Sequence, residues 1–176
     1  GSLQQWAKAN GIAVNLAVLY VSQEVINSIP EFKMRIVGEE IRLYDEVHCG
    51  STIFMPDKTF SFCYFENADS LETFDRIGKE KIRQLKQTGD FDPRDEQLNI
   101  IHYSTLPWIP FSSIKHPRRF SFPDSFPKIV FRKIHQQNGE NVIPVSVEAH
   151  HALIDGYHIG LYLDGLADGF KNCIGG

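Results

Sequence analysis

Ile143-Pro-Val-Ser-Val-Glu-Ala-His150-His151-Ala-Leu-Ile-Asp155-Gly156-Tyr157-His158 is the stretch on which the reading of this chain turns. Val145 and Val147 alternate with Ser146 and Glu148, the period of a half-buried strand, and from Leu161 onward the apolar positions take helical spacing. The two histidines are therefore expected at a strand end and Asp155 in the turn beyond. There its carboxylate fixes the turn, with Gly156 supplying a positive φ. Histidine, whose unperturbed pKa is ~6.5, is the usual side chain for taking a proton near neutral pH. A tight turn beside a core histidine is the alternative reading; two adjacent histidines closing an apolar strand ask instead for a polar cavity.

The rest of the composition narrows the setting. With 176 residues, 42% of them hydrophobic, the chain can bury one sizeable core, so a single domain over residues 1–176 is expected. A formal charge of −4 argues against a general nucleic-acid or membrane-surface role, which needs a net basic face, and favours small-molecule chemistry. Cys49, Cys63 and Cys173 are an odd set without close metal spacing, so a reduced cytoplasmic setting is expected and no metal is assigned. No apolar run reaches the ~18 residues of a membrane span.

Outward from the histidine stretch, the elements follow from local pattern. Ser2 caps a short helix through Leu3, Trp6 and Ala7 that Asn10-Gly11 ends. A second helix carries Leu16, Leu19, Tyr20, Gln23 and Ile26 until Pro30 stops it. Lys33 to Val37 and Ile41 to Tyr44 read as a hairpin through Gly38-Glu39-Glu40, and Ser51 to Met55 and Thr59 to Phe65 as two more strands. Asp69 to Thr88 is an amphipathic helix between Ser70 and Gly89. Leu98 to Tyr103 is a buried strand, and Leu106 to Phe111 an irregular aromatic segment, since Pro107 and Pro110 forbid regular pairing. The basic run Lys115 to Phe120 reads as a solvated loop, with contact to an anionic cofactor phosphate as the alternative. Ile129 to Ile134 and Val142 to Glu148 are expected to pair across Asn138-Gly139, and a last helix to run from about Tyr157 to Asp168. The fold class is α/β, a two-layer sandwich of a mixed sheet with helices on one side.

His150-His151-Ala-Leu-Ile-Asp155-Gly156 resembles the HHxxxDG signature of the coenzyme A-dependent acyltransferases. Pro30-Glu31-Phe32-Lys33-Met34-Arg35, Thr59-Phe60-Ser61, Leu106-Pro107-Trp108-Ile109 followed by Phe111-Ser112-Ser113, and Phe126-Pro127 narrow the likeness to the chloramphenicol acetyltransferases, in order over essentially the whole chain. The resemblance implies an acetyltransferase with acetyl-CoA as co-substrate and a small-molecule hydroxyl such as that of chloramphenicol as acceptor. His151 would be the general base, Ser113 the donor to the tetrahedral oxyanion, and Asp155 a structural neighbour that pairs with an arginine and holds the turn. It also implies a homotrimer with each site between subunits, His151 from one and the acceptor pocket largely from the other.

The chain departs from the family pattern in places. The arginine partner of Asp155 belongs to an N-terminal segment which this chain is expected to lack, because its first residues align with the helix after it. Part of the acceptor pocket belongs to the same segment. Val130 stands where many members have a threonine, and Ile134 where they have a tyrosine near the CoA. Phe54, Phe60, Phe62, Tyr64, Phe65, Tyr103 and Phe111 are candidates for an apolar pocket or for plain core. A ligand-binding homologue with weak or no catalysis, and an acyltransferase acting on a dithiol of a carrier protein, are the other readings.

Overall fold

The computed structural model describes residues 2–94, 96–106 and 125–175. Helix α1 (Leu3–Ala9) opens on a reciprocal cap in which Ser2 and Gln5 each bond the other's backbone amide. Helix α2 (Val14–Asn27) lacks a cap from its own sequence; Asp75, buried in a later helix, accepts the Ala13 amide at 2.8 Å in its place and holds Lys79 at 2.5 Å. Pro30 opens a 3-10 turn over Pro30–Lys33, where its missing N–H costs nothing.

Strands β1 (Met34–Val37) and β2 (Glu40–Leu43) form the expected hairpin with a tighter turn: Val37 pairs with Glu40, leaving Gly38-Glu39 as a two-residue loop with Gly38 at φ +63°. Strands β3 (His48–Phe54) and β4 (Phe60–Phe65) pair antiparallel. Helix α3 (Leu71–Thr88) begins at a Ser70 cap and ends at Gly89 in the left-handed region. Strand β5 (Ile100–Leu106) runs parallel to β3 and to β6 (Lys128–Arg132), so Leu106 belongs to a regular strand. Residues 107–124, which include Pro107 to Phe111, Ser113 and the basic run, lie outside the described residues.

The long hairpin expected across Asn138-Gly139 is two pairings. Strands β7 (His135–Gln137) and β8 (Glu140–Val142) close a short ribbon on that turn, while β6 pairs separately with β9 (Val145–Glu148). Pro144 at the break has no N–H to give the ladder, although its carbonyl still accepts from Arg132 at 3.0 Å. The main sheet is mixed, with order β4-β3-β5-β6-β9.

One alternation set faces the helices. Cys49, Ile53, Cys63, Phe65, Ile101, Tyr103, Ile129 and Phe131 join Leu16, Leu19, Ile26, Phe74, Tyr162 and Leu166 in a single core. The aromatic set considered for a ligand pocket is thereby divided. Phe65 and Tyr103 are core, whereas Phe54 and Phe60, at 51% and 54% exposure, stand on the opposite sheet face, with Phe60, Phe62 and Phe91 in mutual ring contact. Phe111 lies outside the described residues.

Helix α4 (Gly156–Gly175) continues well past Asp168. Gly169 looks like a stop in the sequence, but Gly165 and Gly169 are where α4 meets α2: a Cβ on Gly165 would lie 2.6 Å from Val25 Cγ1, and one on Gly169 2.5 Å from Val21 Cγ1. Tertiary packing overrides the low helix propensity of glycine. No single helix among the described residues is long and apolar enough to cross a membrane.

Candidate active site

Between β9 and α4 the chain folds so that the two histidines are presented on a turn anchored at both ends. Strand β9 stops at Glu148, and His150 and His151 follow it exposed to solvent. The His150 carbonyl accepts the amides of Leu153 at 2.9 Å and Ile154 at 3.0 Å, and the side chains of those two residues are buried in the core. His151 therefore rides on a turn whose next two apolar residues pin it to the protein. The His150 ring has a local task, accepting the Ala152 amide at Nδ1 over 3.3 Å.

Asp155 occupies the cap position of α4. Its Oδ1 accepts the Tyr157 amide at 2.9 Å and the His158 amide at 3.4 Å, and its carbonyl accepts from Ile159. Gly156 is the first residue of the helix and does not take a positive φ, so the turn is made by the carboxylate and not by glycine freedom. Desolvation raises the Asp155 pKa, but the amides of His158 and Tyr157, with the His158 and His151 rings nearby, outweigh it and hold the carboxyl below its usual range. Among the described residues its ion-pair partner is His158, whose Nδ1 lies 3.0 Å from Oδ1. None of the described arginines takes that place.

Arg35, quoted above only as part of a motif, is fully buried. It donates to the carbonyls of Phe32 at 2.9 Å, Met34 at 2.7 Å, Leu98 at 2.9 Å and Ile100 at 2.8 Å, with its guanidinium 5.4 Å from the Phe126 ring centre. Burial lowers its pKa to about 10. It ties the 3-10 turn and β1 to the start of β5, the strand that leads toward Ser113. A second buried polar group connects β5 to α4: Ser22 Oγ lies 3.0 Å from Tyr103 Oη and 2.7 Å from Tyr162 Oη, and Tyr103 donates to Gln23 Oε1 at 3.1 Å. Burial raises the pKa of both tyrosines. Each hydroxyl is satisfied, so the network costs little and fixes the three elements in register.

Ser113 is not among the described residues, so the structure places two of the three expected site residues, His151 and Asp155, at the two ends of one turn. Val130 is buried on β6 and carries no hydroxyl to offer a ligand. The His158 contact was legible in principle, since positions three apart share a helix face. The role of Arg35 was not, because a lone arginine in a strand gives no sign of four carbonyls converging on it.

The sequence profile of the chloramphenicol acetyltransferase family matches residues 2–167. This chain belongs to that family. The chloramphenicol acetyltransferase of Bacillus pumilus is 27% identical over 157 residues, spanning 88% of this chain and 71% of that protein. The chloramphenicol acetyltransferase of Escherichia coli is 27% identical over 153 residues, 85% of this chain and 69% of the other. A solved chloramphenicol acetyltransferase superposes with a TM-score of 0.86 at 28% identity, covering 97% of this chain and 84% of that one. A probable dihydrolipoamide acetyltransferase from Listeria monocytogenes shares the fold at a TM-score of 0.70 and 13% identity, over 96% of this chain and 75% of its own. Membership of the chloramphenicol acetyltransferase family makes the protein an acyltransferase.

Proposed function

We propose that this acetyltransferase moves acetyl from acetyl-CoA to a hydroxyl of chloramphenicol or of an alcohol like it, with His151 as the base. The observation that carries the reading is the β9–α4 turn. It holds an exposed imidazole between a strand and a carboxylate-capped helix, in a chain whose family match runs from residue 2 to residue 167. His151 takes the proton of the acceptor hydroxyl as that oxygen attacks the thioester carbonyl, forming the new C–O bond. The tetrahedral intermediate collapses with cleavage of the C–S bond, and the proton on His151 passes to the departing thiolate. No covalent acyl-enzyme is required. Ser113 is proposed to donate to the intermediate's oxyanion, and Asp155 to hold the turn beneath the base.

The test is release of free CoA thiol from acetyl-CoA, with and without chloramphenicol. Acceptor-dependent release is the expected result, and its absence with chloramphenicol and a panel of aryl alcohols would refute the reading. In the same assay Ser113→Ala is expected to lower kcat by roughly 10- to 1,000-fold, the scale of losing one oxyanion donor, with little change in KM. A rise in KM alone would assign Ser113 to binding.

Homotrimeric association is part of the proposal. Exposed Phe54, Phe60 and Phe91, beside the edge strand β4, whose Ser61 and Tyr64 hydroxyls donate to the Asp90 and Asp92 carbonyls, support cover by a neighbour. Sedimentation is expected to give three times the 20.1 kDa chain mass, and an active monomer at nanomolar concentration would rule out a shared site.

A further inference from the structure

His158 stands between two carboxylates from different parts of the fold. Its Nδ1 lies 3.0 Å from Asp155 Oδ1 at the head of α4, and its Nε2 lies 3.5 Å from Glu31 Oε1 on the 3-10 turn that follows α2. The ring is largely covered, at 19% exposure, with Tyr157 edge-on to it at 5.6 Å. The Asp155 amide also reaches Nδ1, at 3.1 Å. A ring whose Nδ1 accepts that amide presents its N–H at Nε2, toward Glu31. Glu31 is a firm anchor, because Arg35 locks the carbonyls of Phe32 and Met34 against those of Leu98 and Ile100. Tyr162 repeats the link one turn along α4, its ring 5.4 Å from that of Phe32.

We propose that His158 is a positioning residue for the His151 base: its ring bridges Asp155 and Glu31 and so clamps the β9–α4 turn to the 3-10 turn. The proposal rests on reading His151 as the base. His158 touches neither substrate in this account and acts through the turn, four residues from Asp155 back to His151. The charged groups facing it are Asp155 from its own helix end and Glu31 from the opposite element, with the His151 ring close enough to Asp155 to affect its charge. No arginine performs this task among the described residues.

The experiment compares native protein with His158→Gln, His158→Lys and Glu31→Gln. The readouts are kcat and KM for acetyl-CoA and chloramphenicol, the melting temperature, and the His151 ring resonances in histidine-labelled protein. His158→Gln is expected to lower kcat by about 10- to 100-fold, the scale of a small misplacement of a catalytic group, with KM changed less than about twofold. His158→Lys, which keeps a hydrogen-bond donor between the carboxylates, is expected to recover most of that loss, and Glu31→Gln to show a weaker form of the same split. Native kcat in His158→Gln, or equal losses in the glutamine and lysine variants, would overturn the clamp and leave His158 as packing. If His158→Gln does not fold, Glu31→Gln decides the matter, since it leaves the ring in place. If native protein transfers no acetyl group, the His151 assignment fails separately and the resonances decide. A His151 signal displaced in His158→Gln and restored in His158→Lys supports the clamp, and an undisplaced one overturns it.

Discussion

His151→Ala is expected to lower kcat for acetyl transfer by about 100- to 10,000-fold, the range contributed by a positioned general base, while the melting temperature stays within about 2 °C of native. The two halves of this expectation come from different facts. The imidazole is exposed, so its removal opens no cavity and orphans no buried partner. The turn beneath it is made by others, through the His150 carbonyl, the buried Leu153 and Ile154, and the Asp155 cap. Rate and stability should therefore separate cleanly. Steady-state kinetics beside a thermal melt provides the check, and a variant that retains even a tenth of native kcat would assign the proton transfer to another group.

Gly165→Val is expected to destabilise the helix layer by about 3 kcal/mol, the upper range for overpacking a tight core. On helix propensity alone the change would be favourable by a few tenths of a kcal/mol, because glycine is the poorest ordinary helix former. Sterics decide the sign. The added Cβ would lie 2.6 Å from Val25 Cγ1 and 3.3 Å from Cγ2, and a β-branched valine in a helix has one preferred rotamer and nowhere to swing. For a chain of this length the melting temperature should fall by roughly 6–12 °C. Val25→Ala in the same chain makes room for the new side chain, so the double variant should lie well above the additive sum of the two singles. Strict additivity would mean that α4 yields to the insertion, and that the glycine contact is permissive and not required.

The local alphabet of this chain determined much of its architecture. Ser2, Ser70 and Gly89 mark helix ends through their own hydrogen-bonding and backbone preferences, and the alternation of strand residues sorts Cys49, Ile53, Ile101 and Ile129 onto one sheet face without reference to any partner. His150, His151, Asp155 and Gly156 at their spacing were enough to place the candidate site between a strand and a helix, because a strand-then-helix pattern around polar residues leaves only a turn for them to occupy. What the sequence could not determine depends on groups distant along the chain. Asn138-Gly139 is a strong turn signal, yet which strands it joins was set by Pro144, which interrupts the ladder and hands β9 to β6. Gly169 reads as a terminator until Val21 is placed against it. The side chain against Asp155 is His158, and Glu31 is its second carboxylate, a pairing across 127 positions that no local pattern encodes. Such contacts depend on where helices and turns come to rest, and that is decided by the packing of the core.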